Sequence, residues 1–197
     1  MMTDKKLILA SGSPRRREIL ASAGYDFRWI SPKAEEVSKG LSPEELVAEN
    51  ARRKARAALE TEDGVILCAD TVVCLEDEIL GKPGEREAAR KMLEKLSGKT
   101  HLVITGWILC DGEKTVRGCE KCEVSMRRIT EEELSGYLDT GSPLDKAGAY
   151  GIQDAGGMFV ESISGDYYTV MGLPLCSVSK ALREEFGILP FRHGTAE

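Results

Sequence analysis

The spacing of apolar residues along this chain changes between two patterns. Nearly continuous apolar runs at Leu7–Ala10 and Val65–Leu75 predict buried strands, whereas the apolar positions between Glu85 and Leu96 recur with the spacing of one helical face. In chain order, the spacing predicts strand 7–10, helix 14–23, helix 42–59, strand 65–75, helix 85–96, strands 102–110 and 116–126, a short helix from 130, strand 159–163 and helix 174–186.

Residues with a preference for helix ends support these boundaries. Ser42 and Glu45 have the spacing of a capping box, and the same pair recurs at Thr130 and Glu133. The Ser13-Pro14 dipeptide places a capping hydroxyl before a proline that suits the first helical position. These residues predict where three of the helices begin.

Strands and helices alternate, with two adjacent strands in the middle of the chain, which indicates an α/β or α+β architecture built on a mixed sheet. With 197 residues, we expect one compact domain over 1–197 and not two independent domains. Residues 141–157 are rich in glycine and lack periodicity, which favours a functional loop. Residues 187–197 carry no pattern and are expected to form a mobile tail.

The overall charge and the cysteines restrict the class of protein. A formal net charge of −6 argues against a general nucleic-acid binder, which needs a basic surface. No run approaches the length of a membrane span or of a signal-peptide apolar region, so a cytoplasmic protein without a membrane partner is expected. The six cysteines should then be reduced thiols, and the lone CxxC at Cys119–Cys122 is weak evidence for zinc or redox chemistry.

The first strand is followed by a segment suited to binding phosphate. Ser11, Ser13 and the arginines Arg15–Arg17 lie at the strand-to-helix turn, where unpaired backbone amides and guanidinium groups can both donate to phosphate oxygens. The alternative is a capped helix with a solvated basic first turn. Arginines at a helix N-terminus oppose the helix dipole, and a bound anion would relieve that cost.

Asp70 interrupts an apolar run, so it either reaches water or needs a partner, a metal or a shifted pKa. Glu36 lies in a segment without a strong pattern and, viewed alone, is a solvated acidic residue. Lys54 and Lys82 could neutralise phosphate charge, although most lysines are simply solvated. Pro83 restrains Lys82 to an extended backbone and so limits where its side chain can point.

The segment from Asp145 to Gln153 combines glycines, which allow close approach to a ligand, with an amide that can both donate to and accept from a base edge. Alternatively, it is a plain loop in which Asp145 and Lys146 are surface charges. His101 and His193 have no metal-binding spacing and no adjacent nucleophile, which makes a histidine-based hydrolase improbable.

Taken together, these segments resemble the Maf family of nucleotide pyrophosphatases, in order and over about Leu7 to Leu182. The matching runs are LILASGSPRR at 7–16, CADTVVCL at 68–75, LGKP at 80–83, LSGKTH at 96–101, DKAGAYGIQ at 145–153 and VMGLPL at 170–175. The resemblance implies an α/β fold of two lobes around a nucleotide cleft, similar to inosine triphosphatases, and cleavage of the α–β phosphate bond by a metal-assisted water. A homodimer is also expected.

The resemblance further implies roles for individual residues. Asp70 looks like the proton acceptor, and Glu36 and Asp70 would hold Mg²⁺ or Mn²⁺. Lys54 and Lys82, together with Arg16, would offset the charge of the leaving pyrophosphate. The residues expected to bind substrate are Ser11, Ser13, Arg15, Arg16, Thr71, Lys146 and Gln153.

Within the family, the positions associated with substrate choice correspond to Arg15, Thr71 and Gln153. The runs around Thr71 and Gln153 match the branch similar to dTTP/UTP pyrophosphatases. Asp154 departs from the glycine that usually follows this glutamine, and it would either tighten the loop or repel phosphate. The alternatives are a 7-methyl-GTP pyrophosphatase and a nucleotide-binding regulator of septum formation.

Overall fold

The computed structural model describes residues 5–191 and contains a seven-stranded mixed sheet flanked by helices, which confirms the predicted α/β class. The strands are β1 (Leu7–Ala10), β2 (Phe27–Ile30), β3 (Val65–Leu75), β4 (Glu78–Leu80), β5 (Thr100–Cys110), β6 (Thr115–Met126) and β7 (Val160–Ser164). The helices are α1 (Pro14–Ser22), α2 (Pro43–Leu59), α3 (Arg86–Leu96), α4 (Glu131–Asp139), α5 (Tyr167–Met171) and α6 (Leu175–Phe186). Short 3₁₀ segments lie at Ser142–Asp145, Ala147–Ala149 and Ala155–Phe159.

The strand order of the sheet is β2-β1-β3-β5-β6-β7, and β4 pairs with β3 beside this path. Strand β1 pairs in parallel with both β2 and β3, as expected when helices connect the strands. The pairs β3–β4 and β6–β7 are antiparallel. The burial of β3 on both faces explains its nearly continuous apolar sequence.

The chain divides into two compact units. The first comprises residues 1–70, 105–119 and 172–197, and the second comprises 71–104 and 120–171. Each unit has an apolar cluster of its own, built in the first around Ile8, Ile66 and Ile108 and in the second around Leu93 and Phe159. Asp70 is therefore the last residue of its segment in the first unit.

The predicted capping boxes are both present. In α2, the Ser42 hydroxyl accepts a hydrogen bond from the Glu45 amide, and the Glu45 carboxylate accepts one from the Ser42 amide. Thr130 and Glu133 make the same reciprocal pair at the start of α4. Local sequence therefore determines where these two helices begin.

Helix α2 packs closely against β5 within the first unit. A Cβ atom on Gly106 would lie only 2.8 Å from Val47 Cγ2 and 3.0 Å from the Val47 carbonyl carbon. The buried side of α2 is also rich in small residues, with Ala51 and Ala55 facing the core. The absence of a side chain at Gly106 allows the helix to approach the strand closely.

Three elements were missed by the sequence pattern, namely β2, β4 and the five-residue α5. Before residue 192 the tail has defined contacts, since the Phe191 amide donates to the Gly24 carbonyl at 2.8 Å. Residues 192–197, with His193, lie outside the described residues. Between residues 5 and 191, no helix has both the length and the apolar character needed to cross a bilayer.

Candidate active site

Asp70 lies in the middle of β3, at a point where the strand is not fully buried. It and Thr71 are the two partly exposed residues of β3, whose other residues are all buried. Asp70 Oδ1 lies 2.7 Å from Lys54 Nζ, and the same Nζ lies 2.7 Å from Glu36 Oε1. The structure therefore brings together three residues predicted to take part in chemistry, here called the carboxylate–lysine cluster (Glu36, Lys54 and Asp70).

The second oxygen of Asp70 is held by a residue that the sequence analysis did not select. Asn50 Nδ2 donates to Asp70 Oδ2 at 3.0 Å. The Asn50 side chain also bonds both backbone groups of Val37, donating to its carbonyl at 3.0 Å and accepting from its amide at 2.8 Å. Asn50 precedes Lys54 by four residues on α2, so this spacing was a signal that could have identified it.

The cluster has the chemical character of a site for a hard divalent cation. Its two anionic groups are carboxylates, the ligand type that hard divalent cations prefer, and one ammonium group contacts both of them. Within residues 5–191, no group of three or more histidine, cysteine, aspartate or glutamate side chains could hold a metal ion. Two carboxylates match the way in which Mg²⁺ is usually bound, with substrate phosphates supplying further oxygens.

The loop before α1 is organised around Arg16. Arg16 is only 8% exposed, and its guanidinium group donates from Nε to the Gly172 carbonyl at 2.7 Å and from Nη1 to Ser11 Oγ at 3.1 Å. Burial lowers the pKa of Arg16, while the nearby charge of Asp70 opposes that shift. Ser11 Oγ also accepts from the Ser13 amide at 3.2 Å.

The three arginines in the first turn of α1 have different surroundings. Arg16 is buried, whereas the Arg17 guanidinium group stacks over the Trp29 ring, 4.1 Å from its centroid. Arg15 is half-buried. The alternative interpretation of this segment, a solvated basic turn, is therefore incorrect for Arg16, which is buried in the first unit.

The glycine-rich loop (residues 141–157) of the second unit contains a buried lysine. Lys146 Nζ donates to the Ser142 carbonyl at 2.6 Å and lies 2.8 Å from Asp145 Oδ1 and 3.4 Å from Asp154 Oδ2. The alternative of a surface charge at Lys146 is therefore wrong, because its ammonium group is bound within the loop.

Asp154 closes the same loop. Its Oδ1 accepts from the Gly156 amide at 2.8 Å and from the Tyr137 hydroxyl at 3.2 Å, while Oδ2 accepts from the Ser142 hydroxyl at 2.9 Å. Burial, together with the charge of Asp154, raises the pKa of Tyr137 to about 12. Of the two effects considered for Asp154, the structure supports tightening of the loop.

The other residues of the second unit predicted to act in catalysis (Lys82) or substrate binding (Thr71 and Gln153) are accessible. Lys82 and Gln153 are exposed, and Thr71 is half-buried. Gln153 directly precedes Asp154, so the hydrogen bonds of the aspartate fix the backbone beside it. The roles of these residues in substrate binding stay predictions.

The surroundings of His101 and of Cys68 disfavour a catalytic role for either residue. His101 Nε2 lies 2.8 Å from the Tyr150 hydroxyl, and burial lowers the pKa of His101 to about 4. Burial raises the pKa of Cys68 to about 12, as expected for a thiol that acts as a small core residue. Of the CxxC pair, Cys119 is exposed and Cys122 is buried, and neither forms a disulfide.

Known proteins similar in sequence to this chain share one name. A chain from Bacillus cytotoxicus named dTTP/UTP pyrophosphatase is 47% identical over 182 residues, which cover 91% of this chain and 95% of that protein. A protein of the same name from Bacillus cereus is 46% identical with the same coverage of both chains.

Similar solved structures are more distant. The Ham1 protein of Staphylococcus aureus is 17% identical, with a TM-score of 0.46 over 62% of this chain and 72% of that chain. A HAM1 protein from Coxiella burnetii is 18% identical, with a TM-score of 0.47 over 66% and 75% of the respective chains. The model of the Maf-like protein family matches residues 6–185. This match spans most of the sequence, and the chain belongs to the Maf family.

Proposed function

We propose that this protein is a nucleoside triphosphate pyrophosphatase that hydrolyses dTTP and UTP to the monophosphate and pyrophosphate. The family membership and the names of relatives that are 46–47% identical support this assignment. The observation that carries it is the carboxylate–lysine cluster. In this cluster Asp70, the candidate proton acceptor, is partly exposed and its Oδ1 lies 2.7 Å from the Lys54 ammonium nitrogen.

In the proposed reaction, water attacks the α-phosphorus and transfers a proton to Asp70. Within residues 5–191, Asp70 Oδ1 accepts one side-chain hydrogen bond, from Lys54, and Oδ2 accepts one from Asn50. A carboxylate oxygen has two lone pairs, so a lone pair on each oxygen can still accept the water proton. A new bond forms between the water oxygen and phosphorus, and the bond to the bridging oxygen breaks.

The electron pair of the broken bond leaves with pyrophosphate, and its negative charge must be offset. Lys54 and Lys82 are the lysines that we assign to this task, and the Arg16 charge beneath Ser11 adds to the positive potential of the first loop. Gln153 and Thr71, with Arg15, are our candidates for selecting the pyrimidine base. The 47% identical relative has the matching substrate name, which supports this preference.

We also propose that a divalent cation, Mg²⁺ or Mn²⁺, is required and is held by Glu36 and Asp70. Such an ion would polarise phosphate oxygens and lower the pKa of the attacking water. The support for it is the donor set, two carboxylates that already share one positively charged group.

The test is a nucleotide panel. Purified protein with Mg²⁺ is incubated with dTTP, UTP, dCTP, dATP, GTP and 7-methyl-GTP, and the products are separated by ion-exchange chromatography. We expect the monophosphate and pyrophosphate from dTTP and UTP. Release of orthophosphate would contradict α–β cleavage, and preferential cleavage of 7-methyl-GTP would contradict pyrimidine specificity. Binding without turnover would favour the regulatory alternative.

A further inference from the structure

Asn50 is the polar residue among the buried residues of α2, which are otherwise apolar. Its neighbours on α2 that also face inward are Leu46, Val47 and Ala51, and Asn50 itself is only 3% exposed. An amide in such a position costs free energy unless its donors and acceptor are bonded. What it bonds is therefore informative about its role.

Among the described residues, the Asn50 side chain makes three hydrogen bonds, and they join two different segments of the chain. Two of them clamp the Val37 amide and carbonyl at 2.8 and 3.0 Å, directly beside Glu36. The third reaches Asp70 Oδ2 at 3.0 Å in β3. One buried side chain thus connects the loop that carries Glu36 to the strand that carries Asp70.

Lys54 joins the same two segments one helical turn later. Its Nζ contacts Glu36 Oε1 and Asp70 Oδ1, whereas Asn50 contacts the Val37 backbone and Asp70 Oδ2. Residues four apart lie on the same face of a helix, so α2 presents two successive donors to one carboxylate. Each Asp70 oxygen has its own donor, which fixes the rotation of the carboxylate group.

We infer that Asn50 is a positioning residue that sets the orientation of Asp70 and its separation from Glu36. This role rests on the proposed function, since it assigns to Asn50 the support of the proton acceptor. Asn50 is too deeply buried to contact substrate itself, so it acts through Asp70 and the Glu36 segment. Removal of such a supporting hydrogen bond typically reduces activity roughly 10- to 100-fold.

The test compares three variants with the wild type. Asn50→Leu keeps the side-chain size and removes all three hydrogen bonds. Asn50→Asp keeps an acceptor for the Val37 amide but replaces the donor toward Asp70 with an oxygen. Arg52→Gln, on the exposed side of the same helix where Arg52 pairs with Glu49, is the matched control.

For Asn50→Leu we expect kcat for dTTP to fall roughly 10- to 100-fold, KM to change less than about twofold and the melting temperature to shift by only a few degrees, about that of an ordinary point substitution. Hydrogen exchange of the Val37 amide should become faster in Asn50→Leu but stay slow in Asn50→Asp. The kcat of Asn50→Asp should fall at least as far as that of Asn50→Leu, and Arg52→Gln should match the wild type.

The outcomes separate this inference from the proposed function. A wild-type protein that hydrolyses no nucleotide in the panel would overturn the proposed function, and the positioning role with it. An active wild type with unchanged kcat in either Asn50 variant would overturn the positioning role alone. If Asn50→Leu is unstable, normal kcat in a stable Asn50→Asp would show that Asn50 serves folding and not the orientation of Asp70.

Discussion

Two lysines in this protein have similar exposure and similar partners but different surroundings. Lys54 is 13% exposed and contacts Glu36 and Asp70, whereas Lys146 is 10% exposed and contacts Asp145 and Asp154. The partners of Lys146 lie within eight residues of it along the chain, whereas Glu36 and Asp70 come from separate segments on either side of Lys54. Burial and charge pairing alone therefore do not distinguish the two sites.

The difference lies in what else bonds to the carboxylates. Asp154 accepts three further hydrogen bonds, from Gly156, Ser142 and Tyr137, so its capacity is used within the glycine-rich loop. Asp70 accepts one bond per oxygen, and the side chain of its neighbour Glu36 is 52% exposed. We conclude that the Lys146 network is built to hold a loop in shape, while the Lys54 cluster keeps capacity for reacting groups.

The largest expected effect is on the reaction itself. Asp70→Asn should lower kcat by about 100-fold or more, the usual contribution of a general base, because an amide cannot take the water proton. The rate of pyrophosphate release from dTTP, measured in samples quenched at fixed times, tests this prediction. Asp139→Asn is the control, because Asp139 pairs with Arg86 at the exposed surface. Equal rates in the wild type and Asp70→Asn would remove Asp70 from its proposed role.

Acid should destabilise the second unit, where His101 bonds Tyr150 of the glycine-rich loop. The pKa of His101 is lowered to about 4 in the folded protein, so the unfolded chain binds more protons between roughly pH 4 and 6.5. Stability is therefore present above this window and is lost as the pH falls through it, by up to about 3 kcal/mol.

Guanidinium unfolding between pH 4.5 and 8 measures this loss, and His101→Gln should flatten the dependence because the amide does not titrate. The same pH slope in the wild type and in His101→Gln would show that other groups cause the acid sensitivity.

The smallest expected effects come from replacing each lysine with methionine, which keeps the length of the side chain. Lys146→Met should lower the free energy of unfolding by about 2 kcal/mol, since the Ser142 carbonyl and the partly buried Asp154 lose a charged donor. Lys54→Met should instead lower kcat for dTTP roughly 10- to 100-fold with a smaller change in stability. Thermal unfolding and steady-state kinetics on both variants provide the comparison. A raised KM in a Lys146→Met variant of unchanged stability would show that Lys146 binds substrate and does not serve to stabilise the loop.

Much of the fold follows from local sequence because its signals are local. Both capping boxes, the long strands β3 and β5 and the helix α3 were predicted with boundaries within two residues. Strand β2 was missed because its four residues, Phe27–Ile30, show no alternation and depend on pairing with β1. A short edge strand of this kind is determined by its neighbour and not by its own pattern.

The site was less accessible to sequence reasoning. From the sequence pattern alone, Asp70 could be an aspartate that reaches water and Lys54 a solvated lysine. Only the family resemblance selects them as functional residues. Asn50 was missed because its importance depends on a bond to a residue 20 positions away. The sequence also allowed Lys146 to be a surface charge, because only the folded loop brings Asp154 close to it. Contacts between distant segments carry this information, and spacing along the chain does not.

The close contact at Gly106 affects the position of the helix that carries both side chains bonded to Asp70. The β5 backbone meets α2 at Val47, one turn before Asn50 and two turns before Lys54. A Cβ atom at position 106 would lie within 3.1 Å of the Val47 side chain and the α2 backbone, so the helix and the strand could not both keep their present positions. The positions of Asn50 and Lys54 relative to Asp70 thus depend on Gly106 having no side chain, and a larger residue at this β5 position is expected to lower the activity that we propose for Asp70.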